Sequence, residues 1–114
     1  MYIKDIYETV EMTSACSQPK FLSYLDITVK SLIAKYGIKR VIEDKAYVKP
    51  VSISDDLPVK VEYHNAIVDN ILYLVTGNPD FKTDYIAEAE YAYKTVWNDA
   101  VKGLRMVGED YYRV

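Results

Sequence analysis

The residues with the most obvious chemistry lie in one stretch, Tyr63 to Pro79, which reads YHNAIVDNILYLVTGNP. It holds the only histidine of the chain, His64, and a carboxylate five residues further on, Asp69. A histidine beside a carboxylate is a common pair for general acid–base catalysis. On a helix, however, five residues place the two side chains about 140° apart around the axis. The spacing therefore predicts that they point away from each other, with His64 a partly exposed residue near a helix start.

The remaining groups that could act in catalysis or bind a metal form no pattern. Cys16 is the only cysteine and lies in the polar stretch TSACSQ, with no histidine near it in sequence. A single cysteine excludes an internal disulfide and a multi-cysteine zinc site. The four glycines are scattered and form no phosphate-binding loop. We therefore predict no catalytic residue, metal ligand or cofactor; an enzyme would need Cys16 and His64 to meet in the folded chain.

Asn70 is the polar residue of the stretch that most needs a partner. On a helical wheel it projects between Tyr63, Ala66 and Leu74, inside an apolar arc that marks a central helix. A buried amide without hydrogen bonds costs about 1–3 kcal/mol. Two interpretations stay open: Asn70 sets the register against a neighbouring helix, as buried polar residues do in coiled coils, or it bonds a core carbonyl or a water.

The length and composition of the chain are typical of a single domain that is large enough to bury a hydrophobic core. The chain has 114 residues, of which 50 % are hydrophobic and 27 % charged, with a formal net charge of −3. The acidic balance gives no reason to expect general affinity for nucleic acid. The first residues lack the pattern of a signal peptide, and no apolar run approaches the roughly 18 residues of a membrane span. One cysteine fits synthesis in a reducing cytosol.

Tyrosine is unusually frequent, with 12 residues against two phenylalanines and one tryptophan. Its ring is apolar and its hydroxyl polar, so it suits half-buried surfaces, and protein interfaces are enriched in it. The abundance favours a subunit that packs against other subunits. The alternative is that tyrosine simply fills a small helical core.

Hydrophobic spacing predicts four helices in a mainly α, four-helix bundle-like domain. A short first helix is marked by one apolar face: Ile3, Ile6, Tyr7 and Val10. The second begins after Ser17 as a possible N-cap and ends at Tyr36. Gly37 is predicted to end it in the left-handed conformation, with Ile38 making the hydrophobic contact of a Schellman motif.

The third and fourth helices are predicted to meet at a tight corner. SDDLP is a start signal, with Asp55 or Asp56 as N-cap and Pro58 in the first turn, for a helix that ends near Thr76. In TGNP, glycine ends this helix and asparagine and proline begin the next. The fourth helix is predicted over about Asp80 to Leu104, roughly antiparallel to the third.

Between the second and third helices, over about residues 38–54, the pattern changes. IKRVI and YVKPVSI are rich in β-branched and aromatic residues, which predicts a β-hairpin or extended arm. Pro50 cannot donate within a sheet, so its strand is predicted to lie at an edge. This part is also the most basic, with Lys39, Arg40, Lys45 and Lys49. It is either a solvated hairpin whose charges prevent wrong pairing or an arm that reaches a partner.

Residues 105–114, RMVGEDYYRV, are predicted to be an extended C-terminal tail, because Gly103 and Gly108 weaken the end of the fourth helix. The YYRV ending is too apolar and aromatic for an ordinary solvated tail. Within the fourth helix, the small residues Ala89 and Ala92 would let a neighbouring helix approach closely.

The order of these elements carries a family resemblance. A helix FLSYLDITVKSLIAKYG leads into the insertion, LPVKVEYHNAIVDNILYLVTGNPDF forms the next helix, and the Ala/Tyr-rich YIAEAEYAYKTVWNDAV follows. Over about Phe21 to Val101 the chain resembles the head-to-tail connector (neck adaptor) proteins of tailed bacteriophages. Asn70 departs from the family pattern, which often has an aromatic residue there. The residues that match the pattern are Leu57, Pro58, Tyr63, Ala66, Ile67, Val68 and Asp69.

The resemblance implies a structural virion protein without enzymatic activity, with residues 1–114 as a single connector domain. Such proteins typically form dodecameric rings that dock on the portal protein, extend the DNA channel and meet a downstream neck or tail protein. DNA would pass through without sequence-specific binding, and no membrane is implied. The implied location is the neck of the virion, between capsid and tail, after synthesis in the host bacterial cytoplasm.

Two sets of residues are predicted to form interfaces. Contacts with other proteins are assigned to the arm and tail, at Tyr47, Lys49, Val51, Arg105, Tyr111, Tyr112 and Arg113. Subunit packing is assigned to the third and fourth helices, at Asn70, Tyr85, Ala89, Ala92, Tyr93 and Trp97. The alternative function is a small helical nucleic-acid-binding or regulatory protein, in which Tyr47, between two lysines, stacks on bases while the lysines contact phosphate.

Overall fold

Helices dominate the chain, as its hydrophobic spacing predicts. The computed structural model describes the backbone of residues 1–112 and the side chains of residues 1–99. A 3₁₀ turn, Val61–Tyr63, precedes the fourth of five α-helices. The helices are α1 (Ile3–Glu11), α2 (Gln18–Tyr36), α3 (Ile38–Val41), α4 (His64–Thr76) and α5 (Pro79–Tyr112). The 34 residues of α5 span about 51 Å and account for most of the 59 Å length of the molecule.

The core is built around α4, which packs against α1, α2 and most extensively α5. Each of these helices presents apolar residues at helical spacing to the same interior. Ala89 and Ala92 of α5 are buried there, and their small side chains allow close packing. The fully enclosed side chains of the other three helices are Ile3, Ile6, Val10, Phe21, Leu25, Val29, Leu32, Ala66, Ile67 and Ile71. Burying one large aliphatic side chain contributes about 1.5–3 kcal/mol.

The corner between α4 and α5 follows from local signals and is confirmed as predicted. Gly77 ends α4 in the left-handed region, with φ 73° and ψ 5°, a conformation that glycine adopts without a side-chain clash. The Oδ1 atom of Asn78 accepts a hydrogen bond from the Asp80 N–H at 3.0 Å, and Pro79 occupies the first position of α5. The short connection makes α4 and α5 antiparallel neighbours.

The insertion between α2 and α4 does not form the predicted β-hairpin. No strand forms within residues 1–112. Part of IKRVI becomes α3 instead. Two isolated antiparallel bridges join Ile42 to Val59 and Tyr2 to Asp56, and a hydrogen bond from Glu43 N–H to Pro58 O at 2.8 Å flanks the first. Val41, Ile42 and Val59 are buried in the core, and a short apolar run has the same pattern in a buried helix as in a strand.

The end of α2 also differs from the prediction. Gly37 has a positive φ of 88°, but its ψ of 146° is extended rather than left-handed helical. The chain therefore turns directly into α3, and Ile38 is exposed instead of packing against α2.

The helix predicted to start at SDDLP begins later, at His64. The Leu57 N–H bonds the Met1 carbonyl at 2.8 Å, and Val59 forms the bridge described above, so this stretch is not helical. Asp55 caps a turn instead of a helix: its Oδ2 accepts hydrogen bonds from the N–H groups of Val51 and Ser52 at 3.0 and 3.1 Å. Tertiary pairing thus overrides a strong local start signal.

The last helix is longer than predicted. α5 continues through residue 104 to Tyr112, so residues 105–112 are not an extended tail, while Arg113 and Val114 lie outside the described residues. A glycine inside a helix costs only about 1 kcal/mol relative to alanine, whereas proline costs about 3. Gly103 and Gly108 therefore weaken the helix without ending it.

Candidate interaction surfaces

Asn70 finds its partner inside the chain. Its Nδ2 atom donates to the Oγ1 atom of Thr28 at 2.7 Å, in a buried contact between α4 and α2. The Thr28 hydroxyl in turn donates to the Tyr24 carbonyl at 2.8 Å. The amide therefore sets the register of α4 against a neighbouring helix of the same chain.

A second polar contact fastens the insertion to α2. The Tyr47 hydroxyl donates to Asp26 Oδ1 at 2.7 Å, and the Lys30 ammonium pairs with Asp26 Oδ2 at 2.9 Å. Burial alone would raise the pKa of Asp26, but the hydrogen bonds from Tyr47 and Lys30 hold that pKa below its usual value. Burial and the neighbouring carboxylate raise the pKa of Tyr47. The pair therefore keeps Asp26 ionised and Tyr47 protonated near neutral pH.

The predicted partner residues of the insertion differ in exposure. Tyr47 is half-buried, whereas the side chains of Lys49 and Val51 are exposed, Val51 at 84 %. Val48, which lies between Tyr47 and Lys49, is 74 % exposed. The insertion is thus held at Tyr47 and presents apolar side chains to solvent.

Three tyrosines pack together where α2, the 3₁₀ turn and α5 meet. The rings of Tyr36 and Tyr93 are stacked with centroids 4.7 Å apart, and Tyr63 lies 6.3 Å from Tyr36. Tyr63 is fully buried, and the hydroxyls of Tyr36 and Tyr63 are buried without a protein hydrogen-bond partner. Burial, with smaller contributions from the other two tyrosines, raises the pKa of Tyr63 to about 12. These tyrosines fill the core, as the second interpretation of the tyrosine content proposed.

The exposed aromatic surface lies on α5. The Arg40 guanidinium stacks over the Trp97 ring at 4.5 Å from its centroid, although 45 % of Trp97 remains exposed. Beside it is an open groove of about 470 Å³, lined by Arg40, Val61, Val96 and other residues of the 3₁₀ turn and α5. Tyr91, 72 % exposed, lies on the same helix. Tryptophan, tyrosine and arginine are the residues most enriched among strong interface contacts.

The predicted subunit-packing residues divide into buried and exposed positions. Asn70, Ala89 and Ala92 are buried within the chain, and Tyr93 is half-buried in the tyrosine cluster. Tyr85 is half-buried, with its hydroxyl 3.3 Å from that of Ser31. Trp97 is the one exposed member of the set. The predictions for Arg105, Tyr111, Tyr112 and Arg113 concern side chains outside the described part of the structure.

A cluster of carboxylates lies between α4 and α5. Asp69 is half-buried there, and burial together with the charges of Asp84 and Glu88 raises its pKa to about 6. No salt bridge to Asp69 is present among the described side chains. This face of α4 therefore carries an uncompensated charge at neutral pH, whereas the face with Asn70 is neutral and satisfied.

Cys16 and His64 make no hydrogen bond to each other among the described residues. The only hydrogen bond of the Cys16 thiol is to the carbonyl of Ser17 at 3.5 Å, and His64 Nδ1 lies 3.4 Å from the side chain of Asn65. Burial raises the pKa of Cys16, which lowers its thiolate fraction. Within the described residues, no group of three or more His, Cys, Asp or Glu side chains is placed to hold a metal ion. None of the helices searched there is both long and apolar enough to cross a membrane.

Comparison with protein-family models, curated proteins and solved structures finds no match for this chain. What defines it is therefore its own geometry: a small helical domain with an apolar core, exposed aromatic side chains on α5 and an insertion presented to solvent.

Proposed function

We propose that this chain is a ring-forming head-to-tail connector of a tailed bacteriophage, which docks on the portal, links the capsid to the tail and extends the DNA channel. The observation that carries the proposal is the exposed Trp97 of α5, stacked on Arg40, in a chain whose order of elements resembles that family. Tryptophan, tyrosine and arginine are enriched at protein interfaces, and Trp97 with Arg40 supplies two of these three residue types at one exposed position.

Subunits of the proposed ring pack through the Trp97 surface. Trp97 is already stacked on Arg40, so both side chains lose little conformational freedom when a neighbour covers them. The exposed Val61 extends the apolar area, and the adjoining groove is lined mainly by charged residues that can form its polar rim. Ala89 and Ala92 support this surface from inside by seating α5 closely on the core.

Contacts with the portal and the next neck or tail protein are assigned to the insertion and the end of α5. Lys49 and Val51 are exposed in the insertion. The residues of this chain that match the family pattern form no catalytic set. Four of them are core residues: Leu57, Tyr63, Ala66 and Ile67. Their burial supports a structural role for the pattern.

The test is reconstitution with a candidate portal protein. Purified chain is mixed with portal rings, and complexes are counted by native mass spectrometry and imaged by negative-stain electron microscopy. We expect closed rings of this chain on the portal. Trp97→Ala should reduce ring formation, whereas Lys94→Ala, an exposed change on the same helix, should not.

Two results would count against the connector. One is the absence of any complex with portal protein. The other is a DNA mobility shift by the isolated chain that persists near physiological salt, which would favour the nucleic-acid-binding alternative.

Deletion of residues 105–114 tests the end of α5 separately. The shortened chain should keep α1 to α4 and lose portal binding. Normal portal binding by this chain would remove the tail from the interface while leaving the connector proposal in place.

A further inference from the structure

Residues 46–51, AYVKPV, form an open segment whose backbone is largely unpaired. The segment runs without a turn or bend. Within the described residues, the N–H groups of Ala46, Tyr47, Val48 and Lys49 donate to no protein acceptor. In a segment without a turn, such free N–H groups lie alternately on its two edges, and those on one edge can pair with another strand.

The open segment is held in place on both sides of this free backbone. Tyr47 is bonded to the buried Asp26. Pro50 is buried, and the Val51 N–H donates to Asp55 Oδ2 at 3.0 Å. A backbone segment that is held at both ends loses less entropy when another chain pairs with it than a free segment does. The segment is therefore prepared for pairing, while Val48 and Val51 remain exposed for side-chain contacts.

A lysine-lined groove borders the open segment at Ala46. Its volume is about 520 Å³, and Ile38 and Ile42 contribute apolar walls. Three lysines line it, against two carboxylates: Lys39, Lys45 and Lys60, with Glu43 and Asp44. No ion pair within 4.0 Å engages any of these lysines in the described part of the chain. The groove is thus locally positive on a chain whose net charge is −3.

We infer that the open segment binds an extended acidic segment of a partner protein by β-strand addition. The partner's backbone pairs with the free groups of residues 46–49, which supplies affinity. Its acidic side chains reach the lysines of the groove, and alternate apolar side chains contact Ile38 and Val48. This inference does not depend on the connector proposal, because it rests only on the isolated chain.

A second copy of the chain fits this site poorly. Antiparallel self-pairing of the segment would bring Lys45 and Lys49 of the two copies close together, and like charges across paired strands are unfavourable. Pro50 also lacks the N–H that one register would need. Charge therefore favours an acidic partner over self-association.

The test uses an acetylated and amidated peptide of four Glu-Val repeats as the probe. Binding to the full-length chain is measured by NMR, together with amide hydrogen exchange. We expect a dissociation constant in the millimolar range or tighter. Strand pairing should slow exchange about tenfold or more at alternate residues of the 46–49 stretch, since paired amides exchange only on opening.

Matched controls distinguish the contribution of charge to probe binding from the contribution of backbone pairing. The double variant Lys45→Glu/Lys60→Glu should weaken binding about tenfold, whereas Lys4→Glu/Lys20→Glu, with the same change in net charge, should leave it nearly unchanged. A probe with N-methyl groups on two neighbouring central residues, which blocks both edges, should fail to slow exchange.

Several outcomes would overturn the inference. These are no binding of the Glu-Val probe, binding without slowed exchange in residues 46–49, or equal binding of a Lys-Val probe. Slowed exchange in these residues with concentrated protein alone would identify a second copy as the occupant instead. None of these outcomes bears on portal binding.

Discussion

Two hydrogen bonds attach other elements of the chain to α2, at Asp26 and at Thr28, two residues further on. The surroundings of the two bonds differ. At Thr28, a neutral amide from α4 is buried in the core. At Asp26, a tyrosine from the insertion meets an ionised carboxylate that also pairs with an exposed lysine. The first contact adds specificity to a helix already held by apolar packing. The second is the main polar attachment of a segment with few buried side chains.

The contrast between the two contacts separates the parts of the molecule that are committed to the core from those that are free to act. Around Asn70 every neighbour is committed to the core, so that region gives the domain its stability and register. Around Tyr47 the chain is positioned but its backbone and the side chains of Val48 and Val51 remain available. The candidate interaction surfaces therefore belong to the insertion and to the outer face of α5, and α4 serves as their support.

The largest expected effect tests the apolar packing of α4. Ile71→Ala removes a fully buried side chain, and we expect the free energy of unfolding to fall by about 3 kcal/mol. Urea denaturation followed by circular dichroism measures it. The matched control Val51→Ala, at an exposed position, should change stability by less than about 0.5 kcal/mol. Equal losses for the two variants would contradict the division between core and insertion.

The buried polar contact should matter less than the packing. Asn70→Ala is expected to lower the free energy of unfolding by about 2 kcal/mol, because it leaves a cavity and removes the donor to the Thr28 hydroxyl. A double-mutant cycle with Thr28→Val isolates the contact itself. Strictly additive losses would show that the hydrogen bond contributes no coupling between α2 and α4.

Breaking the attachment at Asp26 should act locally. Tyr47→Phe removes one hydrogen bond to a charged group, and we expect a loss of about 1.5 kcal/mol. The clearer readout is limited proteolysis, which should cut within residues 43–53 faster than in the unaltered chain. Tyr85→Phe, which loses only an exposed hydroxyl contact, is the control. Unchanged cleavage would mean that other contacts hold the insertion.

The weakest effect is expected at Asp69, which lies about 100° from Asn70 around α4, and it depends on pH. The pKa of Asp69 is raised from 3.8 to about 6, so the folded chain binds this proton more tightly than the unfolded chain. The free energy of unfolding should therefore rise as pH falls from about 7 to about 5. The lowered pKa of Asp26 acts only at more acidic pH, where protonation of that carboxylate removes stability.

Asp69→Asn should flatten this dependence and stabilise the chain at neutral pH by up to about 1 kcal/mol, a value reduced because solvent screens a half-exposed carboxylate. Thermal melts at pH 5 and 7 give the comparison. A variant with the same pH dependence as the unaltered chain would show that the raised pKa of Asp69 is not the source of that dependence. Glu90→Gln, at an exposed position of α5, controls for a change in net charge.

The sequence by itself determined the mainly helical class, the central position of α4 and the corner from Gly77 to Pro79. These features depend on residues a few positions apart, through backbone dihedral preferences, caps and apolar periodicity. The need of Asn70 for a partner was also readable, because a buried amide cannot stay unpaired without cost. The divergence of His64 and Asp69 followed from helix geometry alone.

Only the tertiary structure decided the partner of Asn70, which lies 42 residues away, and the conformation of the insertion. Val41, Ile42 and Val59 have the composition of a strand, yet burial against the helices turned one part into α3 and left one bridge. Contacts to Met1 and Ile42 similarly outweighed the start signal at Asp55. The physical reason is that local preferences are worth about 1 kcal/mol, whereas burial of one large side chain contributes more.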